Sequence, residues 1–281
     1  MDIELARTFL AVVETGSFVR AAARLNLTQT AVSARIKSLE DQLRRSVFIR
    51  NKSGASLTAA GEQFLRYAPA LLQVWERARH QVAVPDGRDS LIAVGAELSL
   101  WNPTLLKWLI WMKDMAPTIA LRTHVGMSDA LLQQVSEGTI DLALVYAPRY
   151  SAGLKIDLLS EEKLVLVATD PTMAYINHPG YVYVDWGPEF ATHHRMNFPH
   201  FGSPGLFVGL GPLALDYIIE VGGAGYFRQR AVEPHIVAGR LHLISAAPEF
   251  LYPVYVVRAL DGSDEAALDV AIQGLRETIQ S

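Results

Sequence analysis

The chain has 281 residues, half of them hydrophobic, no cysteine, and a net charge of −4. That length suits about two domains, and the lack of thiols excludes disulfides, cysteine nucleophiles and thiolate metal sites. The charge is uneven: residues 1–84 hold twelve Lys and Arg against seven Asp and Glu, and the remainder holds thirteen against twenty-two. A basic N-terminal segment on an acidic body is the split expected of a nucleic-acid-binding head joined to a domain that does not touch the polymer.

Ile3, Phe9, Leu10 and Val13 predict a first helix, closed near Thr15–Gly16 by a residue suited to a C-cap. No basic region followed by an apolar run precedes it, and no apolar run is long enough to span a bilayer, so a soluble, cytoplasmic protein without membrane contact is expected. Phe18, Ala21, Ala22 and Leu25 then form one helical stripe. A turn at Asn26–Leu27 follows, and Thr28 is suited to cap a second helix. In that helix Val32, Ile36, Leu39 and Leu43 share a face, while Thr30, Ala34 and Lys37 point away, with Ser33 on the flank. A tight turn before a helix with a small, polar, partly basic outer face describes a helix-turn-helix DNA reader. Thr28, Gln29, Thr30, Ser33, Ala34 and Lys37 are its candidates for the major groove, with Arg35, Arg50 and Lys52 on phosphates.

Val47–Arg50 and Ala55–Leu57 read as two short strands around a turn, which makes a wing. From Thr58 to Val84 the pattern predicts one long helix. Its heptad seam is Phe64, Ala68, Leu71, Trp75, Ala78 and Val82, and Pro69 is expected to kink it. Residues 85–89 read as a hinge. Strands and helices then alternate: strand 91–95, helix 102–115, strand 120–125, helix 129–137 and strand 141–146 form a parallel unit. A second unit follows, with strands 162–168 and 181–185, a helix over 212–221 and a strand starting at 225–227. A strand over 250–258 and a helix over 264–280 return to the first unit. The expected fold is thus an all-α winged helix-turn-helix head with a long linker helix, followed by a two-lobed α/β domain. Its divisions are 1–57, 58–88 and 89–281, with lobe I about 89–160 and 250–281 and lobe II about 161–249.

Residues 1–66 closely resemble the N-terminal domain of LysR-type transcriptional regulators. The opening helix, the run AAARLNLTQTAVSARIKSLEDQL, the FIRN segment and LTAAGEQFL fall in that family's order and spacing. The remainder is similar in layout to the family's periplasmic-binding-protein-like effector domain. Val184–Phe190 and the Trp-rich helix resemble a subgroup that includes a repressor of the flagellar master operon. Arg44 departs from the family: it stands where a glycine usually ends the recognition helix, so this helix is expected to run on slightly. The resemblance implies double-stranded DNA as partner, a small-molecule effector, an antiparallel dimer through the linker helix, a homodimer or homotetramer overall, and RNA polymerase as a further candidate partner.

The same resemblance places the effector between the lobes. The loops expected to line that site carry Ser99, Leu100, Trp101, Met127, Ser128, Ala147, Gly202, Ser203 and Tyr226. Leu105–Met112 is apolar on nearly every side, which points to a dimer face, expected against residues 215–221 of another copy. His193, His194 and His200 are spaced too irregularly for a metal site. No phosphate loop, nucleophile elbow or zinc-protease motif is found, so neither a cofactor nor an enzyme is expected. The competing reading, a solute-binding receptor or α/β enzyme with N-terminal association helices, lacks both a leader and a catalytic constellation.

Overall fold

A computed structural model describes residues 2–51, 54–172, 175–260 and 264–280. The head is built from α1 (Ile3–Thr15), α2 (Phe18–Leu25) and α3 (Gln29–Leu43). Asp2, Ser17 and Thr28 each cap the following helix by accepting a first-turn N–H, from Glu4, Arg20 and Ala31. Asn26 closes α2 at φ 53°, a left-handed conformation that asparagine tolerates. Val32, Ile36 and Leu39 of α3 are buried against Phe9, Val12 and Phe18, whereas Leu43 lies at the exposed margin. The strands β1 (Phe48–Asn51) and β2 (Gly54–Leu57) pair antiparallel as the wing. Gly54, at φ 138°, is required: a Cβ there would lie 2.5 Å from the Gly16 carbonyl oxygen, which also accepts the Ala55 N–H at 2.9 Å.

Two expectations change. Helix α3 does not run on, because Arg44 itself takes the left-handed conformation (φ 52°) and the Arg45 N–H returns to the Glu40 carbonyl at 3.1 Å. The linker is also not one helix. It consists of α4 (Ala59–Leu65) and α5 (Ala68–Val82), parted at Arg66–Tyr67. Pro69 falls in the first turn of α5, where its missing N–H costs nothing, so the proline starts a helix instead of kinking one. The expected seam divides accordingly. Phe64 and Ala68 pack into the head, while Leu71, Trp75 and Val82 are exposed. The inward positions of α5 are Leu72 and Glu76, the latter paired with Arg7 and Arg79, each at 2.9 Å.

Lobe I holds β3 (Ser90–Ala96), α6 (Leu106–Met115), β4 (Ile119–Val125), α7 (Ser128–Glu137), β5 (Leu142–Tyr146) and β6 (Leu154–Ser160). Lobe II holds β7 (Lys163–Ala168), β8 (Val182–Val184), α8 (Pro188–Asn197), β9 (Leu206–Val208), α9 (Gly211–Val221), β10 (Ala224–Arg228), α10 (Gln229–Val237), β11 (His242–Leu243) and β12 (Phe250–Leu251). The chain returns to lobe I with β13 (Val254–Ala259) and α11 (Glu265–Gln280).

The lobe I sheet has the order β4-β3-β5-β13-β6, with β3 parallel to β4 and β5, and β13 antiparallel to its neighbours. Helices α6 and α11 pack on one face and α7 on the other. Against α7 lies α5, whose Gln73 donates to the Ser136 carbonyl at 2.9 Å. In lobe II, β7 pairs antiparallel with β10, β11 and β12. The expected strand 250–258 is therefore two strands in two lobes, and the crossover falls at Tyr252–Pro253. Strands β6, β9 and β11 and helices α8 and α10 lie outside the elements predicted from sequence. Among the described residues, no helix is long and apolar enough to cross a membrane.

Candidate nucleic-acid interface and interlobe cleft

The outer face of α3 is left open by the way its inner face packs. Gln29, Thr30, Ala34 and Lys37 are exposed and Ser33 is half-buried. Thr30, Ser33, Ala34 and Lys37 line one concave strip, which continues through Asp41, Arg44, Arg45 and Ser46. Thr28 has a structural duty at one end, accepting the Ala31 N–H at 3.1 Å. Arg35, expected on phosphate, turns inward instead: its Nη1 donates to Glu4 Oε2 at 3.1 Å and to Thr8 Oγ1 at 3.4 Å, tying α3 to α1. Lys52 lies outside the described residues, and so does the side chain of Arg50, whose backbone belongs to β1.

The residues expected around an effector fall in several places. Leu100 and Tyr226 are core residues of lobes I and II. Tyr226 donates its hydroxyl to the Pro248 carbonyl at 2.9 Å. Met127 is exposed, and Ser128 reaches only the Tyr146 carbonyl, at 3.5 Å. Ala147 follows Tyr146 at φ 39°. Gly202 and Ser203 line a separate cavity of about 190 Å³ beside His178. Ser99 and Trp101 reach the joint between the lobes directly, and Ser128 meets it at Tyr146.

That joint is built largely from residues that no sequence motif marks. Arg228 ends β10 and is 1% exposed. Its Nε and Nη2 donate to Glu162 Oε2 at 2.9 and 2.6 Å, and Nη2 also donates to Thr104 Oγ1 at 3.1 Å. Its Nη1 donates to the Ser99 carbonyl. Glu162 precedes β7, whereas Ser99 and Thr104 belong to lobe I, so one guanidinium spans the cleft. Tyr146 packs beside it, with Arg228 Cζ 5.8 Å from the ring centroid. Tyr146 stacks on Tyr252 at 4.1 Å, and Trp186 meets Tyr252 edge-on at 5.4 Å. The Tyr146 hydroxyl lies 3.0 Å from Ser99 Oγ.

Burial pushes the Tyr146 phenol up, opposed by the charge of Arg228, and also raises the Glu97 carboxyl, which accepts the Tyr146 N–H at 3.2 Å. Beside the joint, a cavity of about 580 Å³ opens between Trp101 and Pro103 of lobe I and Trp186, Leu215, Phe227 and Arg230 of lobe II. A signal for Arg228 was present in the chain: it is a charged residue at the end of a strand that is otherwise wholly apolar or glycine.

Of the three clustered histidines, His194 is the buried one. Its Nε2 lies 2.9 Å from the Tyr181 hydroxyl, within rings of Phe190, Phe198 and Phe201, and burial pushes its pKa down to about 4. Among the described residues, no group of His, Asp and Glu is placed to hold a metal ion.

Comparison with known proteins bears on both halves. The family of bacterial regulatory helix-turn-helix proteins, lysR family, matches residues 3–62, and the LysR substrate binding domain matches residues 85–172. The HTH-type transcriptional regulators HdfR of Salmonella schwarzengrund (strain CVM19633) and Salmonella newport (strain SL254) are each 30% identical over 271 residues, 95% of this chain and 95% of theirs. Among solved structures, ArgP from Mycobacterium tuberculosis has a TM-score of 0.60 at 21% identity, over 99% of this chain and 97% of its own. Full-length OxyR from Pseudomonas aeruginosa has a TM-score of 0.61 at 21% identity, over 98% and 95%. LysG from Corynebacterium glutamicum, with bound effector Arg, has a TM-score of 0.60 at 20% identity, over 99% of both chains.

Proposed function

The chain belongs to the LysR family of bacterial helix-turn-helix transcriptional regulators, and from that premise we propose that it reads duplex DNA through the outer face of α3. The observation that carries this reading is the strip of Thr30, Ser33, Ala34 and Lys37. Small side chains let the helix sit deep in the major groove, and hydroxyl and ammonium groups meet base edges there. Gln29 extends that face. Arg44 and Arg45, with Arg50 and Lys52 of the wing, supply phosphate contacts, while Arg35 serves the head's own architecture.

The two-lobed half is the regulatory part. A small molecule binding between the lobes shifts the assembly between states by its differential affinity for them. LysG, solved with bound effector Arg, supports a regulator that answers to a small molecule. Assembly uses three exposed apolar faces: Leu71, Trp75 and Val82 of α5, Leu106 and Ile110 of α6, and Leu213, Tyr217 and Val221 of α9. Pairing α6 with α9 of a second copy also explains why Leu106 and Ile110 are apolar yet exposed, since Trp108 and Met112 already face its own core.

The test is fluorescence anisotropy on duplexes tiled across the gene's own upstream region, at two salt concentrations. Ser33→Glu, which sets a carboxylate against the DNA, should weaken the preferred duplex by about 100-fold or more. Lys37→Ala should lower the salt slope by about one if the ammonium sits on a phosphate, or relax base preference if it reads an edge. A wild type that prefers no duplex, with both variants unchanged, would refute the reading.

A further inference from the structure

We propose that Glu162 is a built-in anion: its carboxylate fills the place that a ligand's carboxylate would take against Arg228, and it holds the two lobes together without any ligand. The inference rests on the two-lobed half being the regulatory part.

The geometry carries it. Arg228 belongs to lobe II, yet its partners on lobe I are the Ser99 carbonyl and Thr104 Oγ1. A guanidinium 1% exposed cannot stay there uncompensated, and the compensating charge comes from the chain itself, on the segment that crosses between lobes. The second crossover is tied to the first, because the Tyr252 N–H donates to the Glu162 carbonyl at 2.7 Å. Both crossovers and both lobes therefore converge on one ion pair.

As a purely structural bridge the pair is poorly finished. Glu162 Oε1 is buried without a hydrogen-bond partner among the described residues, a cost that an apolar pair would avoid. What the pair does supply is closure of an interlobe joint with its charge already balanced. It also sets ligand class. With Glu162 in place, four of the five N–H groups of Arg228 are already given to the chain itself, so an organic acid would have to compete with Glu162 for the guanidinium. The remaining space of about 580 Å³ is walled by Trp101, Trp186, Leu215 and Phe227 and also by Asp216, Arg230 and His235, which suits a largely apolar molecule that carries a polar group.

The experiment is thermal melting of the full chain in sodium chloride and in sodium acetate at matched ionic strength. Glu162→Ala removes a CH₂–COO⁻ fragment, which acetate replaces atom for atom. The variant's midpoint should fall by about 10 °C in chloride, and tens of millimolar acetate should restore most of that. The wild type should respond to neither salt. Glu162→Gln, which keeps the volume filled, should lose stability and gain nothing from acetate.

If the alanine variant is insoluble in chloride, recovery of soluble protein in acetate is the same positive signal. The proposal is overturned if acetate recovers neither midpoint nor solubility, if chloride works as well, if the glutamine variant is also recovered, or if wild type is itself stabilised by acetate. Melting involves no DNA, so failure here is distinct from failure of the DNA-binding reading, which duplex titration of wild type decides.

Discussion

The outer face of α3 and the interlobe joint are both polar, yet they treat polar groups in opposite ways. On α3 the side chains of Gln29, Thr30, Ser33 and Lys37 make no hydrogen bond or ion pair among the described residues, so their bonding capacity is held open for an outside partner. At the joint, Arg228 gives four of its five N–H groups to Glu162, Ser99 and Thr104, and the Tyr146 hydroxyl meets Ser99. A surface that awaits a ligand and a surface that has replaced one can share the same residue types. What separates them is where the complementary group comes from.

Three measurements sharpen this contrast. The largest effect is expected at the buried ion pair. Arg228→Met leaves the Glu162 carboxylate buried and unpaired, and denaturant melting should show a loss of about 3–5 kcal/mol. The double variant Glu162→Leu with Arg228→Met should regain most of it, because two apolar side chains leave no orphaned charge. If the single and double variants melt alike, the pair is not a coupled unit.

Next is the pH dependence of lobe II. The His194 imidazole is held neutral in the fold, with its pKa lowered to about 4 from an ordinary 6.5. Between those values the unfolded chain binds the extra proton, so stability should be full above pH 6.5 and fall as pH drops towards 4, by about 3 kcal/mol in all. His194→Gln should flatten that part of the profile, and an unchanged slope would show that other groups dominate it.

The smallest effect belongs to the head. Arg44 adopts φ 52° with a side chain on its Cα, so Arg44→Gly should stabilise the chain by about 1 kcal/mol in denaturant melts. Lower stability for the glycine variant would mean that the arginine side chain itself holds the helix end.

The head could be read from sequence almost residue by residue because its signals are local. Ser17 and Thr28 cap helices one residue ahead, Val32, Ile36 and Leu39 repeat within a single helix, and the wing spans ten residues from Phe48 to Leu57. Even so, Arg35 was placed on the wrong side, since its partners Glu4 and Thr8 belong to another helix. The long seam is divided for a related reason. A heptad pattern reports apolar spacing but not which partner covers it, and Phe64 and Ala68 are claimed by the head core. In the lobes, the alternation of strands and helices was evident, but loop positions did not identify a cleft.

By itself, then, the amino-acid sequence determined the helix-turn-helix head, its outward polar face, the charge division between the halves and the two-lobed α/β plan. Each depends on short-range periodicity, caps or composition. Only the tertiary structure decided that Tyr226 and Leu100 are core, that Arg35 braces α1, and that Arg228 meets Glu162 and Ser99, which lie 66 and 129 residues away along the chain. Contacts at such separation depend on how sheets twist and lobes close, and no local spacing encodes them.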